Sequence, residues 1–207
     1  MARKKEIFKQ QILEVAYKMA IENGVDSLTA RKVAEAADCS TQPIYLEFKN
    51  MNDLRHQVLE MIQEKLKSSV FEESFVGDPL IDLELSYIYF AAKHPQLFRA
   101  MYVEGKFGSA NISEFSMEIG LRKLEESYPE NDFSEDKKRN IVTGSWIIAT
   151  GIGALVATGM IEINQDQMVE ILSAQINDFI LNDRFSESSE ENLFADKEKR
   201  SILDMLG

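Results

Sequence analysis

Cysteine, proline and histidine are scarce in this chain: one, four and two among 207 residues. A lone Cys39 excludes an internal disulfide and fits a reducing cytoplasm. Its place in a short turn suits a small space-filling hydrophobe better than a redox sensor. Few prolines and few alternating β-branched runs leave helices as the building elements. The longest apolar run, Trp146 to Met160, has about fifteen residues, short of the roughly 20 a membrane span needs, and reads as a buried helix. The start, Met-Ala-Arg-Lys-Lys, has no signal-peptide character, so a cytoplasmic chain without a membrane partner is expected. His56 and His94 lie on separate helices without a nearby cysteine or paired carboxylates, which argues against metal binding and catalysis. A Gly-rich phosphate loop, a nucleophile elbow and a cysteine pair are all missing, and Gly151-Ile-Gly153 lacks the strand and third glycine of a nucleotide fingerprint. These absences predict no cofactor and no enzyme.

What is present is ordinary for a soluble globular protein: 44% hydrophobic and 28% charged residues. The net charge of −12 argues against a nucleic-acid partner until its distribution is considered. Residues 1–50 carry eight Lys/Arg and seven Asp/Glu, a net of +1. The remainder, with 15 basic and 28 acidic residues, holds a net of −13. A near-neutral head on an acidic body is compatible with a DNA reader, although +1 is not a basic patch.

The stretch from Leu28 to Asn50 is the most informative. It reads as two short helices around a turn, Asp38-Cys39-Ser40, with Leu28, Val33, Ala34, Ala37, Ile44 and Phe48 placed to share a small core. Thr29 is a sound N-cap for a helix over Ala30 to Ala37. Asp38 tolerates the left-handed conformation, so the turn does not need glycine. A third helix is expected over Thr41 to Phe48 with Ser40 as cap. Pro43 fits its first turn but disfavours helical geometry at Gln42, so a start at Pro43 stays open. Ser40, Thr41, Gln42, Tyr45 and Lys49 fall on the outer face, where hydroxyl, amide and ammonium groups meet phosphates or base edges. Such a module is a helix-turn-helix whose second helix enters the major groove.

Around it, Lys5 to Asn23 carries a helical apolar stripe ended by Gly24. Arg3, Lys4 and Lys5 are either a frayed charged terminus or an arm that touches phosphates. Asn50 with Asp53 opens a fourth helix to Leu66. Then come a connection over 68–78, a nearly all-round apolar helix over Leu80–His94, a short helix over Gln96–Val103, and a break at Gly105–Gly108. Helices over Ile112–Tyr128 and Glu135–Met160 follow, and a last one from Asn164 through Leu181. The fold class is therefore all-α. It divides into a helix-turn-helix head at 1–50, a helical body at 51–182 and a polar, solvated tail at 183–207.

The order of helices, with Leu28-Thr-(x)3-Val-Ala-(x)2-Ala and Ile44-Tyr-Leu-Glu-Phe-Lys-Asn50, closely resembles the TetR family of transcriptional regulators over about residues 7–62. In the body, Ala92-Lys-His-Pro-Gln-Leu-Phe-Arg99 and Trp146-Ile-Ile-Ala-Thr-Gly151 look like local signatures of that family, with Thr150 where a histidine is usual. The resemblance implies a homodimeric, ligand-responsive repressor on double-stranded DNA with a palindromic operator. It implies DNA contacts from Thr29, Ser40, Thr41, Gln42, Tyr45 and Lys49. Two departures matter: Asp38-Cys39-Ser40 replaces a Gly-Val-Ser turn, and Leu46-Glu47 replaces a pair that is often aromatic and histidine.

The small residues Gly144, Ala149, Gly151, Gly153, Ala154, Ala157 and Gly159 invite close helix approach, either between subunits or within one. By family likeness, Gly151, Ala154, Ala157, Ile176 and Phe179 are expected at a dimer interface. Tyr87, Phe90, Phe98, Met101, Tyr102, Phe107, Phe115, Met117, Trp146 and Thr150 supply candidates for an apolar effector cavity, with core packing as the competing role for each. Glu84 and Glu104 either favour a cationic ligand or sit on exposed helix faces. Repression relieved by a small apolar or amphipathic effector is the leading expectation. An adaptor acting through a protein partner and its acidic tail is the alternative.

Overall fold

A computed structural model describes residues 9–106, 109–182 and 184. Phe107, the Arg3–Lys5 arm and nearly all of the 183–207 tail lie outside the described residues. Among those described there is no strand. The described residues form nine α-helices in succession: α1 Lys9–Asn23, α2 Ala30–Ala36, α3 Gln42–Glu47, α4 Met51–Ser68, α5 Pro79–Lys93, α6 Pro95–Phe98, α7 Ser109–Ser127, α8 Glu135–Ala157 and α9 Gln165–Leu181. Short 3-10 turns occupy Val25–Ser27 and Val70–Glu72, and α6 runs on into a π-helical turn at Arg99–Val103.

Local chemistry accounts for most boundaries. Thr29, Asn50, Asp78, Ser134 and Asn164 each accept a backbone N–H in the first turn of their helix. Asn164 and Gln167 close a reciprocal capping box, with N···O distances of 3.0 and 3.1 Å. Asn50 accepts from the Asp53 N–H at 3.0 Å, while the Asp53 carboxylate accepts from the Lys49 N–H at 2.8 Å. Such caps contribute about 1 kcal/mol each. α3 departs from expectation. It starts at Gln42, and the N-cap is Thr41, whose side chain makes no capping bond, so Ser40 is not the cap. Pro43 in the first turn compensates by pre-setting a helical φ. Asp38 adopts φ 54°, so a short acidic residue takes the turn without glycine.

The core runs without a break from the head into the body. Ile12, Ala16, Leu28, Val33, Ile44 and Phe48 join Leu54, Val58 and Ile62 of α4, and these join Leu83, Tyr87 and Phe98. α5 is the central element, buried on almost every side and packed against α7, α8 and α9. A second, smaller cluster of Leu80, Met117, Leu124, Ile141, Val142 and Ile176 closes the far end. Asp82 is also buried there. Burial works to raise its carboxyl, but the N–H groups of Val76, Phe75 and Gly77 and the Ser74 hydroxyl outweigh that and hold it below the ordinary range. That carboxylate pins the 74–77 connection to α5.

α8 is long and apolar enough to span a membrane by length and composition alone. It packs on α5, α7 and α9 instead, and small residues permit the approach. A Cβ at Gly144 would sit 2.6 Å from the Phe179 ring, and one at Gly153 3.2 Å from Phe98. Packing inside the subunit therefore explains these two glycines. Gly151 differs, with nothing within 4 Å of a built Cβ.

Candidate functional site

The head presents one polar face. Ile44 and Phe48, 1% and 2% exposed, seat α3 on α1 and the head core and leave its other side to solvent. Thr29, Ser40, Thr41, Gln42, Tyr45 and Lys49 are all exposed, at the start of α2 and along or beside α3. The Thr29 hydroxyl accepts from the Lys32 N–H at 3.3 Å, which leaves its own proton for a phosphate. Tyr45 is 59% exposed and Leu46 75%. Leu46 is thus a protruding apolar side chain on the outer face of α3, which the search for polar donors in the sequence passed over. Lys9 was missed as well. Its ammonium lies 5.5 Å over the Phe48 ring, so α1 contributes a cation at the foot of α3. The Arg55 guanidinium, from α4, donates to the Leu28 carbonyl at 3.0 Å and ties α4 to the start of the reading module.

Head and body meet at a cleft of about 210 Å³ lined by Asn23, Gly24, Asp26, Gln96, Arg99 and Lys106 among others. The Lys106 ammonium pairs with Asp26 of the head and, at 2.7 Å, with Glu104, which also takes Arg99 at 2.6 Å. Side-chain hydrogen bonding by Lys106 holds Glu104 below its ordinary range. Glu104 is exposed, as the second of its two sequence readings has it, and forms part of a clamp between the π-helical turn and the head. With 80 residues separating Asp26 from Lys106, no local signal in the sequence could show it.

In the body, Tyr87, Phe98, Tyr102 and Trp146 are brought together. Ring centroids lie 5.5 Å apart for Tyr87–Tyr102, 5.1 Å for Phe98–Tyr102 and 6.4 Å for Tyr102–Trp146. Phe71 and Phe115 extend the chain beyond Tyr87, and Phe90 extends it beyond Phe98. Met101 is buried in the same core. Met117 is not with them: it packs into the second cluster against Leu124 and Val142, so core filling is its role. Glu84 corrects the expectation of an exposed helix face, being 1% exposed. Its Oε1 accepts the Ser145 hydroxyl at 2.7 Å, and Oε2 has no partner. Burial raises this carboxyl to about 8, against the opposing pull of Ser145. The Tyr87, Tyr102, Ser116 and Thr150 hydroxyls are also buried without a well-formed hydrogen bond. Burial raises both phenols well above their ordinary range, and Ser116 lies close enough to each to oppose part of that rise.

The open side of α8 and α9 is apolar. Ile147, Gly151 and Leu155 recur every four residues on α8 and are exposed. Ile171 and Leu181 on α9, at 44% and 81% exposure, and Met160 at 73% are exposed apolar residues as well. Ala154 and Ala157 are half-buried against the main core, and Phe179 leans on Gly144. Ile176 is 2% exposed in the second cluster, so its surface is already consumed within the subunit and it has none to offer a partner chain.

Comparison with known proteins gives a consistent pattern. Residues 12–58 match the family described as bacterial regulatory proteins, tetR family. No curated protein matches the chain by sequence. Among solved structures, a TetR-like transcriptional regulator from Rhodococcus sp. RHA1 superposes with TM-score 0.52 at 18% identity, covering 84% of this chain and 95% of that one. The fatty acid degradation regulator FadR from Bacillus halodurans matches at TM-score 0.52 and 18% identity, over 86% and 96%. FadR from Bacillus subtilis, in complex with stearoyl-CoA, matches at TM-score 0.52 and 16% identity, over 84% and 98%. At these identities the likeness is one of fold.

Proposed function

We propose that this chain, whose residues 12–58 match the tetR family of bacterial regulatory proteins and whose fold is shared with TetR-like regulators, is a cytoplasmic homodimeric repressor released from a palindromic operator by a small apolar or amphipathic effector. The observation that carries the proposal is the exposed polar face of α3, anchored from behind by Ile44 and Phe48. Tyr45 and Lys49 donate to phosphates and set the register; Thr41, Gln42 and Leu46 face base edges. The apolar face of α8 and α9 supports a two-fold contact between subunits, formed by Ile147, Gly151, Leu155 and Ile171. Pairing there presents two reading helices to successive major grooves, roughly 34–36 Å apart.

An effector relieves repression only by favouring a body conformation in which that spacing is wrong. Tens-of-fold release needs a difference of roughly 2 kcal/mol in its affinity for the two conformations. The π-helical turn supplies a route, because Tyr102 lines the aromatic cluster while Lys106 grips Asp26 of the head. That the B. subtilis relative of the same fold is described with stearoyl-CoA supports an effector with apolar bulk.

The test is binding of the purified chain to duplex fragments from its own locus across a salt series. Lys49→Ala should weaken binding to all sequences and reduce the salt slope by about two, one phosphate contact per protomer. If Tyr45→Phe combined with Lys49→Ala left operator affinity unchanged, α3 would not be the reading helix.

A further inference from the structure

Ile44 fixes the rotation of α3 about its own axis, because its side chain is 1% exposed and set into the head core. At about 100° of helix per residue, Gln42 and Leu46, two before and two after it, fall within about 20° of the direction opposite that side chain. Both are exposed, Leu46 by 75%. Tyr45, 59% exposed, and Glu47 stand on the two flanks. The outermost ridge of the helix is therefore one amide and one isobutyl group. α3 itself, Gln42–Glu47, contains neither lysine nor arginine.

We propose that Gln42 and Leu46 make this chain select A·T pairs within each half-site, Gln42 by pairing its amide with an adenine edge and Leu46 by covering a thymine C5-methyl. This rests on the reading of α3 as the helix in the major groove, and it names the bases that helix accepts.

The chemistry of the groove supports the assignment. Guanine presents two acceptors, O6 and N7, which suit the paired donors of arginine or the ammonium of lysine, and the ridge has neither. Adenine presents an acceptor at N7 and a donor at N6, which match the N–H and C=O of one amide. Thymine alone among the four bases brings an apolar group into the groove. An isobutyl group held in water gains by burial against that methyl. Laid against guanine or cytosine, it would strip water from O6, N7 or N4 and return no hydrogen bond, so Leu46 rejects as well as selects. The two side chains arise about 6 Å apart along the helix, and base pairs stack about 3.4 Å apart, so they address neighbouring pairs. Tyr45 and Lys49, directed to phosphates, carry affinity without sequence.

The experiment begins by selecting sites from a random duplex pool with the full chain. The selected duplex is then remade with uracil at each thymine, which deletes the C5-methyl alone, and with 7-deazaadenine at each adenine, which deletes the N7 acceptor alone. One uracil position should weaken binding about fourfold per half-site, the contribution of a single buried methyl group. One 7-deazaadenine position should weaken it about fivefold. In Leu46→Ala the thymine-to-uracil ratio should fall to about one while the adenine ratio persists, and in Gln42→Ala the reverse. Both residues are exposed, so the head core is untouched, and the modified duplexes probe the wild type without any substitution. Selected sites made of G·C pairs, uracil neutral at every position, or either ratio surviving in its matching variant overturns the proposal. Tyr45→Phe with Lys49→Ala, measured on the same duplexes, reports separately on α3 as the groove helix. A chain that binds duplexes through α3 but ignores both base modifications defeats this proposal alone. A chain that binds no duplex removes the regulator reading, and this one with it.

Discussion

Replacing Glu84 by glutamine should flatten one identifiable part of the protein's stability–pH curve. In the unfolded chain the carboxyl titrates near its ordinary 4.5, and in the fold burial raises it to about 8. Between those values the native state keeps a proton that the unfolded state has released. The stabilisation linked to Glu84 is therefore complete below about 4.5 and is lost as pH rises toward 8. At 1.36 kcal/mol per pKa unit, the shift amounts to roughly 4–5 kcal/mol over the whole window, with about 3 kcal/mol already lost at pH 7. Glutamine has the same shape and cannot titrate. Its amide adds a pH-independent cost of about 1–3 kcal/mol if one N–H stays unpaired, so the signature is slope and not offset. Urea unfolding of both proteins at one fixed concentration, from pH 5 to 9, gives the comparison. The stability difference should swing toward the variant by about 1 kcal/mol per pH unit up to pH 8 and then level. Profiles parallel within about 0.5 kcal/mol would mean that Glu84 is solvated or paired in solution, and the reasoning would fail.

Other substitutions test separate links. Gly120→Ala would drive a methyl into the Cγ1 of Val142, a side chain with little rotamer freedom, and should destabilise by about 1–2 kcal/mol in denaturation despite the better helix former. Leu155→Glu places a charge on the exposed stripe of α8. Under the proposed pairing, sedimentation should show a dimer for the wild type and monomers for the variant at the same concentration, with an unchanged fold by circular dichroism; a variant that sediments as the wild type does would overturn this interface. Lys106→Ala cuts the clamp to Asp26, so amide hydrogen exchange over Val25–Ala37 should accelerate while α8 is unaffected. Unchanged exchange in the head would show that the clamp does not hold it. Asn50→Ala removes the side-chain acceptor of the Asp53 N–H at the start of α4 and should cost about 1 kcal/mol in urea unfolding.

Much of the site was legible before any coordinates because its determinants are local. The spacing of Val33, Ala34, Ile44 and Phe48 decides which side of each short helix is buried, and by subtraction leaves Thr41, Gln42, Tyr45 and Lys49 outside. Asn50 and Asn164 announce helix starts through side chains that reach only three residues. The start of α3 was less legible, since Ser40, Thr41 and Pro43 are each acceptable near a helix N-terminus and competing local preferences do not rank themselves. Lys9 and Leu46 were overlooked for different reasons: one reaches the reading helix from another element, and the other is apolar where donors were sought.

By itself, the sequence determined the all-helical class, the order of the elements, the reading module and the outward side of its second helix. Each depends on periodicity and capping within a few residues, which a linear chain carries in full. Only the tertiary structure decided that Glu84 is buried against Ser145, that Lys106 bridges to Asp26, that Ile176 and Met117 belong to the subunit's own core, and that Gly151 but not Gly144 faces open space. These depend on which face of α5 or α8 meets which neighbour. An apolar helix with small residues on several sides is compatible with many such pairings until the whole set of helices packs at once.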